Sequence, residues 1–465
     1  MHEITGNRDE VMQLMKDTIN KLGADTPQQK KVGARALSVQ PAKPPKERDQ
    51  ILETLKKGFN EEQVKKTAKA ASATVPQERA VEGWYAPRNQ AVALFQSAMD
   101  EHLDELGRAQ DDGQKSKKTV SLSATKAKKP KGSINDFYKG GGPQKPKKGG
   151  KVKAAAVTAA ELVQYSNLDP HWAEVVWEKA KLLLKGKHKF TTHKSGEDFR
   201  FTMKDKTTIA IVGDWGGGND AAQAVAERIR KINPDHIIHL GDVYYAGTEK
   251  EIRERFLKYW PTPSAGGYSF ALNSNHEMYS GGFGYFDVTL KEFKQPASYF
   301  SLSNSNWRLI GLDTGYVDHD LNNEQVDWLT AQFKGSKNPR TILLSHHQLF
   351  SAYENTDASH LQSRVQPFLD ANKIYGWIWG HEHLCVVYEQ HMGIKAVCLG
   401  NGCFPYNAPS KAKTKVPVKW INNRQSGTSD YKGSHTFALL SIDADKIDIQ
   451  YIDEDGTVAF KDSWS

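Results

Sequence analysis

Five short apolar runs, each ending in a side chain able to bind a metal, constrain this 465-residue chain more than any other feature. They are Thr208-Ile209-Ala210-Ile211-Val212 before Gly213-Asp214, Ile237-Ile238-His239-Leu240 before Gly241-Asp242, and Phe270-Ala271-Leu272 before Asn273-Ser274-Asn275-His276-Glu277. Two more follow: Thr341-Ile342-Leu343-Leu344-Ser345 before His346-His347, and Trp377-Ile378-Trp379 before Gly380-His381-Glu382-His383. Short β-branched and aromatic runs alternating with helical stretches are the pattern of an α/β layered domain. Ligands of open α/β sheets bind beyond the carboxyl ends of the strands, so each run delivers its polar residue to the place where a site forms. One strand-end aspartate is often a turn or cap residue, and one buried histidine is usually structural. Five such ends in order within one domain point to a shared site.

The donor types narrow the chemistry. His381 and His383 sit two apart, so an extended backbone turns both the same way. Carboxylate and phenol oxygens mixed with imidazole suit iron, zinc or manganese better than calcium or a thiolate-bound metal. Two such cations about 3.5–4 Å apart lower the pKa of a bridging water and stabilise both oxygens of an in-line displacement at phosphorus. On this reading His276 is the catalytic residue, as general acid or as a donor to the phosphoryl oxygen. Glu277 is expected to orient it. His347 and His360 are further candidates on the substrate side.

The ordered set of motifs, over roughly residues 206–440, resembles the calcineurin-like metallophosphoesterases and, within them, the purple acid phosphatases. The wider family begins with Asp-x-His. Here Gly216 stands in the histidine's place, and the purple acid phosphatase pattern couples that glycine to a tyrosine three residues after the second aspartate, which is Tyr245. Two further departures are Ser274 where the third motif usually has glycine, and His347 where proline usually follows the fourth-motif histidine. The resemblance implies that Asp214, Tyr245 and His383 hold a first metal, Asp242 bridges, and Asn275, His346 and His381 complete the second site. Tyr244 is then expected to pack. A phenolate ligand implies Fe(III) in the first site, with Fe(II), Zn(II) or Mn(II) in the second. The implied fold is a four-layer α/β/β/α metallophosphoesterase sandwich preceded by a small helical region. The implied activity is a phosphomonoesterase of acid phosphatase type, acting on a small phosphorylated substrate through a metal-bridging hydroxide. A phosphodiesterase or nuclease is the alternative within that chemistry, and a noncatalytic interaction module on the same fold is the alternative outside it.

The rest of the chain divides by composition. Residues 1–112 carry apolar residues at helical spacing, among them Val11, Leu14, Met15, Ile19 and Leu22, then Ile51, Leu52, Leu55 and Phe59, then Val92, Phe95, Met99, Leu103 and Leu106. They read as a small helical bundle that docks a partner or a second copy. Residues 113–153 hold thirteen lysines against one acid, Asp136, so this segment outweighs the chain's net charge of +8 and leaves the remainder mildly acidic. With its glycines and prolines it reads as a disordered linker, either a spacer or a tether for a polyanion. Residues 154–205 form a helical lead-in, with Asp169-Pro170 opening a helix whose apolar face is Trp172, Val175, Val176 and Leu183. Residues 206–465 form the catalytic domain. Trp307–Asp313 reads as a further strand, with a helix at Glu324–Leu329. Near the end, 437–442 and 447–452 read as antiparallel strands. Three cysteines, Cys385, Cys398 and Cys403, make no disulfide framework, and no secretory or membrane-spanning run is evident. The expected setting is cytoplasmic.

Overall fold

A computed structural model describes residues 4–5, 8–24, 46–71, 89–101, 157–158 and 170–465, apart from 335–338, 355–356, 405, 407–408, 410 and 427–432. The lysine-rich segment 113–153 and the apolar positions Leu103 and Leu106 lie outside the described residues. A two-residue parallel pair joins β1 (Ile4–Thr5) to β2 (Val157–Thr158).

Two sheets face each other. The six-stranded sheet has the order β16-β15-β14-β4-β5-β6, built from β4 (Lys206–Val212), β5 (His236–His239), β6 (Ser269–Ala271), β14 (Thr436–Asp443), β15 (Lys446–Asp453) and β16 (Val458–Trp464). The eight-stranded sheet has the order β13-β11-β12-β10-β9-β8-β7-β3. Its strands are β3 (Arg200–Thr202), β7 (Phe300–Ser303), β8 (Trp307–Gly311), β9 (Arg340–Ser345), β10 (Gly376–Trp379), β11 (Cys385–Tyr388), β12 (Lys395–Leu399) and β13 (Val418–Ile421). Between them lies an apolar layer in which Ile209, Ile211, Ile238, Leu240 and Phe270 meet Leu302, Leu309, Ile342, Leu344 and Ile378. Their outer faces are covered by helices. The helix Asp220–Ile232 buries Ala221, Ala222, Val225, Ala226 and Ile229, a stripe at helical spacing. Asn219 caps its start, accepting from the Ala222 N–H, and Asn233 ends it with a left-handed φ of 53°. On the other side the helices Asn323–Gln332 and Ser359–Asp370 bury Trp328, Leu329, Leu361, Val365 and Leu369 against the larger sheet. The layer order is therefore α/β/β/α. The third C-terminal strand, β16, was not legible: its burial alternates weakly at the edge.

Parallel pairing positions the site. β4, β5 and β6 run parallel, with Val212 opposite His239 and His239 opposite Ala271. β9 and β10 run parallel with Ser345 opposite Trp379. The residues that follow these five strands are delivered to one end of the sandwich.

The N-terminal helices form a separate core. Val11, Leu14, Met15 and Ile19 of Arg8–Ala24 meet Ile51, Leu52 and Leu55 of Lys46–Ala71, together with Val92, Phe95 and Met99 of the helix at 90–101. Val176 and Ala180 of the helix Pro170–Lys185 join them, so the first part of the 154–205 lead-in packs with this bundle. The helix at 90–101 rests on the catalytic part: Ala93 and Leu94 pack on Ala246, the Gln90 amide donates to the Tyr279 carbonyl at 2.8 Å, and buried Asp100 pairs with buried Arg255. No helix among the described residues is long and apolar enough to cross a membrane.

Candidate metal centre

Asp214 and Asp242 follow β4 and β5 in the left-handed region, at φ 55° and 76°, and His381 and His383 follow β10 at φ 70° and 47°. Such backbone is uncommon for residues other than glycine and clusters where the surroundings impose it. Here the imposing contacts are visible. The Asp214 N–H donates to the Gly241 carbonyl at 2.9 Å, the Gly380 N–H to the His346 carbonyl at 3.0 Å, and the His381 N–H to Asp214 Oδ2 at 2.8 Å. Glycines allow this approach: a Cβ on Gly380 would sit 2.6 Å from Asp214 Oδ2, and one on Gly241 2.8 Å from the His346 ring.

The side chains converge into two donor groups that share one carboxylate. Asp214, Asp242 and His383 form the first and Asp242, His346 and His381 the second, with donor atoms in each group within 4.8 Å of one another. His383 Nε2 is 3.4 Å from Asp214 Oδ1, and His346 Nε2 is 3.2 Å from Asp242 Oδ1, 3.1 Å from His381 Nδ1 and 3.0 Å from Asn275 Oδ1. His346 is held through its other nitrogen, 2.9 Å from the Leu240 carbonyl. That contact fixes Nδ1–H as donor and turns the Nε2 lone pair inward, as is usual for a ligating histidine. Asp214, Asp242, Asn275, His346, His381 and His383 are thus brought together.

The phenol at the centre is that of Tyr244. Its hydroxyl lies 3.2 Å from Asp214 Oδ1, 3.2 Å from Asp242 Oδ2 and 3.0 Å from His383 Nε2. Tyr245, expected from the resemblance to hold the first metal, is buried next to Tyr244 and also meets this region through its backbone. Its N–H donates to Glu251 Oε1 at 2.7 Å, and its carbonyl accepts from His276 Nδ1 at 2.6 Å. Adjacent residues compete for one direction, and spacing alone does not settle which ring faces in.

His276 is buried, and its bond to the Tyr245 carbonyl leaves Nε2 3.7 Å from Asp242 Oδ2. Glu277 does not orient it. The Glu277 carboxylate meets the Ser274 hydroxyl and accepts from the Asp242 N–H at 3.3 Å, while Ser274 Oγ reaches Asp242 Oδ1 at 2.6 Å. Burial, aided by the Asp242 charge, pushes Glu277 up to about 8. The Ser274 hydroxyl thus stands as the donor between two carboxylates, those of Glu277 and Asp242. Ser274 Oγ also accepts from the His276 N–H at 3.1 Å, which is how a serine replaces glycine in this turn. His360 sits exposed at the start of the helix Ser359–Asp370, and no contact to these groups places it in the site. His347 is buried beside His381, with ring centroids 4.7 Å apart, and its Nδ1 lies 3.0 Å from Thr314 Oγ1. His319 had no signal beyond an Asp-His pair in a loop; its ring lies 3.8 Å from that of His347.

The electrostatics fit cations. Burial and the facing Asp242 push Asp214 well above the usual carboxylate range. Burial opposes charge on Asp242 too, but His276, His346 and the Ser274 hydrogen bond outweigh it and hold its pKa low. Burial, then the two carboxylates, push the Tyr244 phenol far up. Two confronted carboxylates and a phenol that resists ionisation are a donor set that positive charge between them satisfies.

Residues 207–385 match the sequence model of the calcineurin-like phosphoesterases. The chain carries a calcineurin-like phosphoesterase domain and is a phosphoric ester hydrolase. Among curated proteins it is similar to tartrate-resistant acid phosphatase type 5 of Sus scrofa, 24% identical over 294 residues covering 54% of this chain and 85% of that protein. The Rattus norvegicus protein of the same name is 23% identical over 296 residues, covering 55% and 89%. A solved purple acid phosphatase from yellow lupin (Lupinus luteus) aligns at TM-score 0.43 and 14% identity, over 58% of this chain and 55% of that one.

Proposed function

We propose that this chain is a dinuclear metal-dependent phosphomonoesterase of acid phosphatase type. The observation that carries the reading is the sharing of Asp242 by both donor groups, since one carboxylate facing two sets of ligands is what a bridged pair of cations requires. Asp214, His383 and Tyr244 would hold one metal and Asn275, His346 and His381 the other, with Asp242 between. When bound, such a pair supplies an activated water and neutralises phosphoryl charge. A phenol among the donors favours Fe(III) in the first position, and the imidazole and amide set of the second accepts Fe(II), Zn(II) or Mn(II).

The chain's own groups do the remaining work. His276 gives its Nδ1–H to the Tyr245 carbonyl, which leaves Nε2 3.7 Å from Asp242 Oδ2 and free to act as the acid toward a leaving oxygen. Protonated there, it delivers the proton that the alkoxide needs. Ser274 and Glu277 hold the bridging carboxylate from behind. The preference for monoesters follows the acid phosphatases to which the chain is similar.

Elemental analysis of the purified full chain tests the reading, paired with hydrolysis of p-nitrophenyl phosphate and bis(p-nitrophenyl) phosphate. About two metals per chain including iron, monoester turnover exceeding diester turnover, and loss of both metal and turnover in D242N are expected. A wild type that takes up no metal after reconstitution with iron, zinc and manganese refutes it. Faster diester turnover moves the assignment to a phosphodiesterase.

A further inference from the structure

We infer that His319, His347 and His381, backed by Asp318, form a third cation site for a borderline divalent ion such as zinc, at the edge of the metal pair. The three imidazoles offer donor atoms within 4.8 Å of one another. Their ring centroids are separated by 3.8 Å for His319–His347, 4.7 Å for His347–His381 and 5.3 Å for His319–His381. Three imidazoles are the donor type that selects zinc over calcium or magnesium, and the Asp318 carboxylate stands behind them as counter-charge.

The group is braced as metal-binding histidines are. His319 Nδ1 lies 2.9 Å from Asp318 Oδ1, and His347 Nδ1 lies 3.0 Å from Thr314 Oγ1, whose oxygen also accepts from the His347 N–H at 3.1 Å. Fixing one ring nitrogen by an outer partner leaves the other, Nε2, as the ligand atom. On His347 that atom is 3.7 Å from the Asp318 carboxylate, so the anion stands beside both rings. His319 holds a left-handed φ of 57°, a conformation shared with Asp214, Asp242, His381 and His383. Asp318 and His319 lie in the loop after β8, with Thr314 earlier in the same loop, and that loop gives no ligand to the pair; His347 directly follows the pair's His346 after β9. Only His381 is common to both, and to serve each side through its two ring nitrogens it must bind as an imidazolate, its remaining N–H proton passing to solvent as the third ion binds.

The test is zinc binding by the full chain, stripped with a chelator, equilibrated with zinc alone and measured by elemental analysis. Three zinc ions per chain in wild type, two in H319Q and two in H347N are expected, each variant folded by circular dichroism. Two in wild type overturn the third site and leave the pair standing. Three in wild type and both variants place the extra ion elsewhere and also overturn it. None in wild type overturns the pair and the third site together. Two zinc ions in wild type with a raised KM for p-nitrophenyl phosphate in H319Q would make the cluster a phosphate-recognising edge instead.

Discussion

Replacing Asp100 with asparagine should destabilise the protein by about 3 kcal/mol. Asp100, on the helix at 90–101, pairs with Arg255 of the catalytic part, and both side chains are buried. Removing one partner of a buried pair costs about 3–5 kcal/mol, because the other charge stays in the interior uncompensated. Here the guanidinium keeps two neighbours, the Tyr244 carbonyl at 3.0 Å and Glu251 Oε1 at 3.4 Å, which places the cost at the low end. Asparagine matches aspartate in volume, so no cavity term is added. At about 2–4 °C per kcal/mol for a domain of this size, Tm should fall by roughly 6–12 °C. Burial pulls the Arg255 pKa down, and that desolvation is what makes the guanidinium costly once Asp100 is removed. The double variant D100N/R255M should recover much of the loss, since an uncharged pair of similar volume needs no counter-charge. Thermal unfolding followed by circular dichroism reads both variants. A D100N protein within 1 °C of wild type would refute both the burial of the pair and the docking of the helical bundle on the loop that presents Tyr244.

Three further expectations follow from the site. Y244F should abolish the visible tyrosinate band of the iron-loaded protein, while Y245F keeps it; the reverse would return the ligand to Tyr245. H276A should slow hydrolysis of an alkyl phosphate by about 10²–10⁴-fold, and that of p-nitrophenyl phosphate much less, because a good leaving group needs no proton. Equal losses on both substrates would assign His276 to phosphoryl contact. Burial lowers the His239 pKa to about 3 from an ordinary value of 6.5, so the unfolded chain takes up a proton across that window before the native one does. Stability is therefore unaffected above pH 6.5 and falls as pH drops toward 3, by up to about 5 kcal/mol. Chemical denaturation of H239Q across this range should show a shallower loss.

The five strand ends were legible because each joins a two-period or continuous apolar run to its polar residue within a few positions, and the sheet does the rest. The runs themselves gave an α/β layered domain, and the four-layer order was implied by the family resemblance that their motifs carry. What was not legible depends on geometry that local spacing does not encode. Tyr244 and Tyr245 differ by one position, and the choice between them rests on the turn that also hands the Tyr245 carbonyl to His276. Glu277 sits next to His276 in sequence, yet its carboxylate turns back to Ser274 and the Asp242 backbone. His319 comes from a loop with no strand to announce it. The Asp100–Arg255 pair spans more than 150 positions, and neither residue belongs to a motif.

The geometry of the centre rides on sheet register. Asp214, Asp242, His381 and His383 all hold left-handed backbone, which costs of order 1–3 kcal/mol each and must be over-determined by neighbours. Those neighbours come from different strands: Gly241 holds Asp214 across β4 and β5, His346 holds Gly380 across β9 and β10, and the Asp214 carboxylate holds His381 between the sheets. A one-residue slip of β5 against β4 or of β10 against β9 would break these bonds and turn Ile238 or Ile378 out of the inner layer at once. The apolar runs that form the core therefore fix the backbone that aims the ligands, and a substitution such as I378T in the inner layer should loosen metal retention without touching a donor atom.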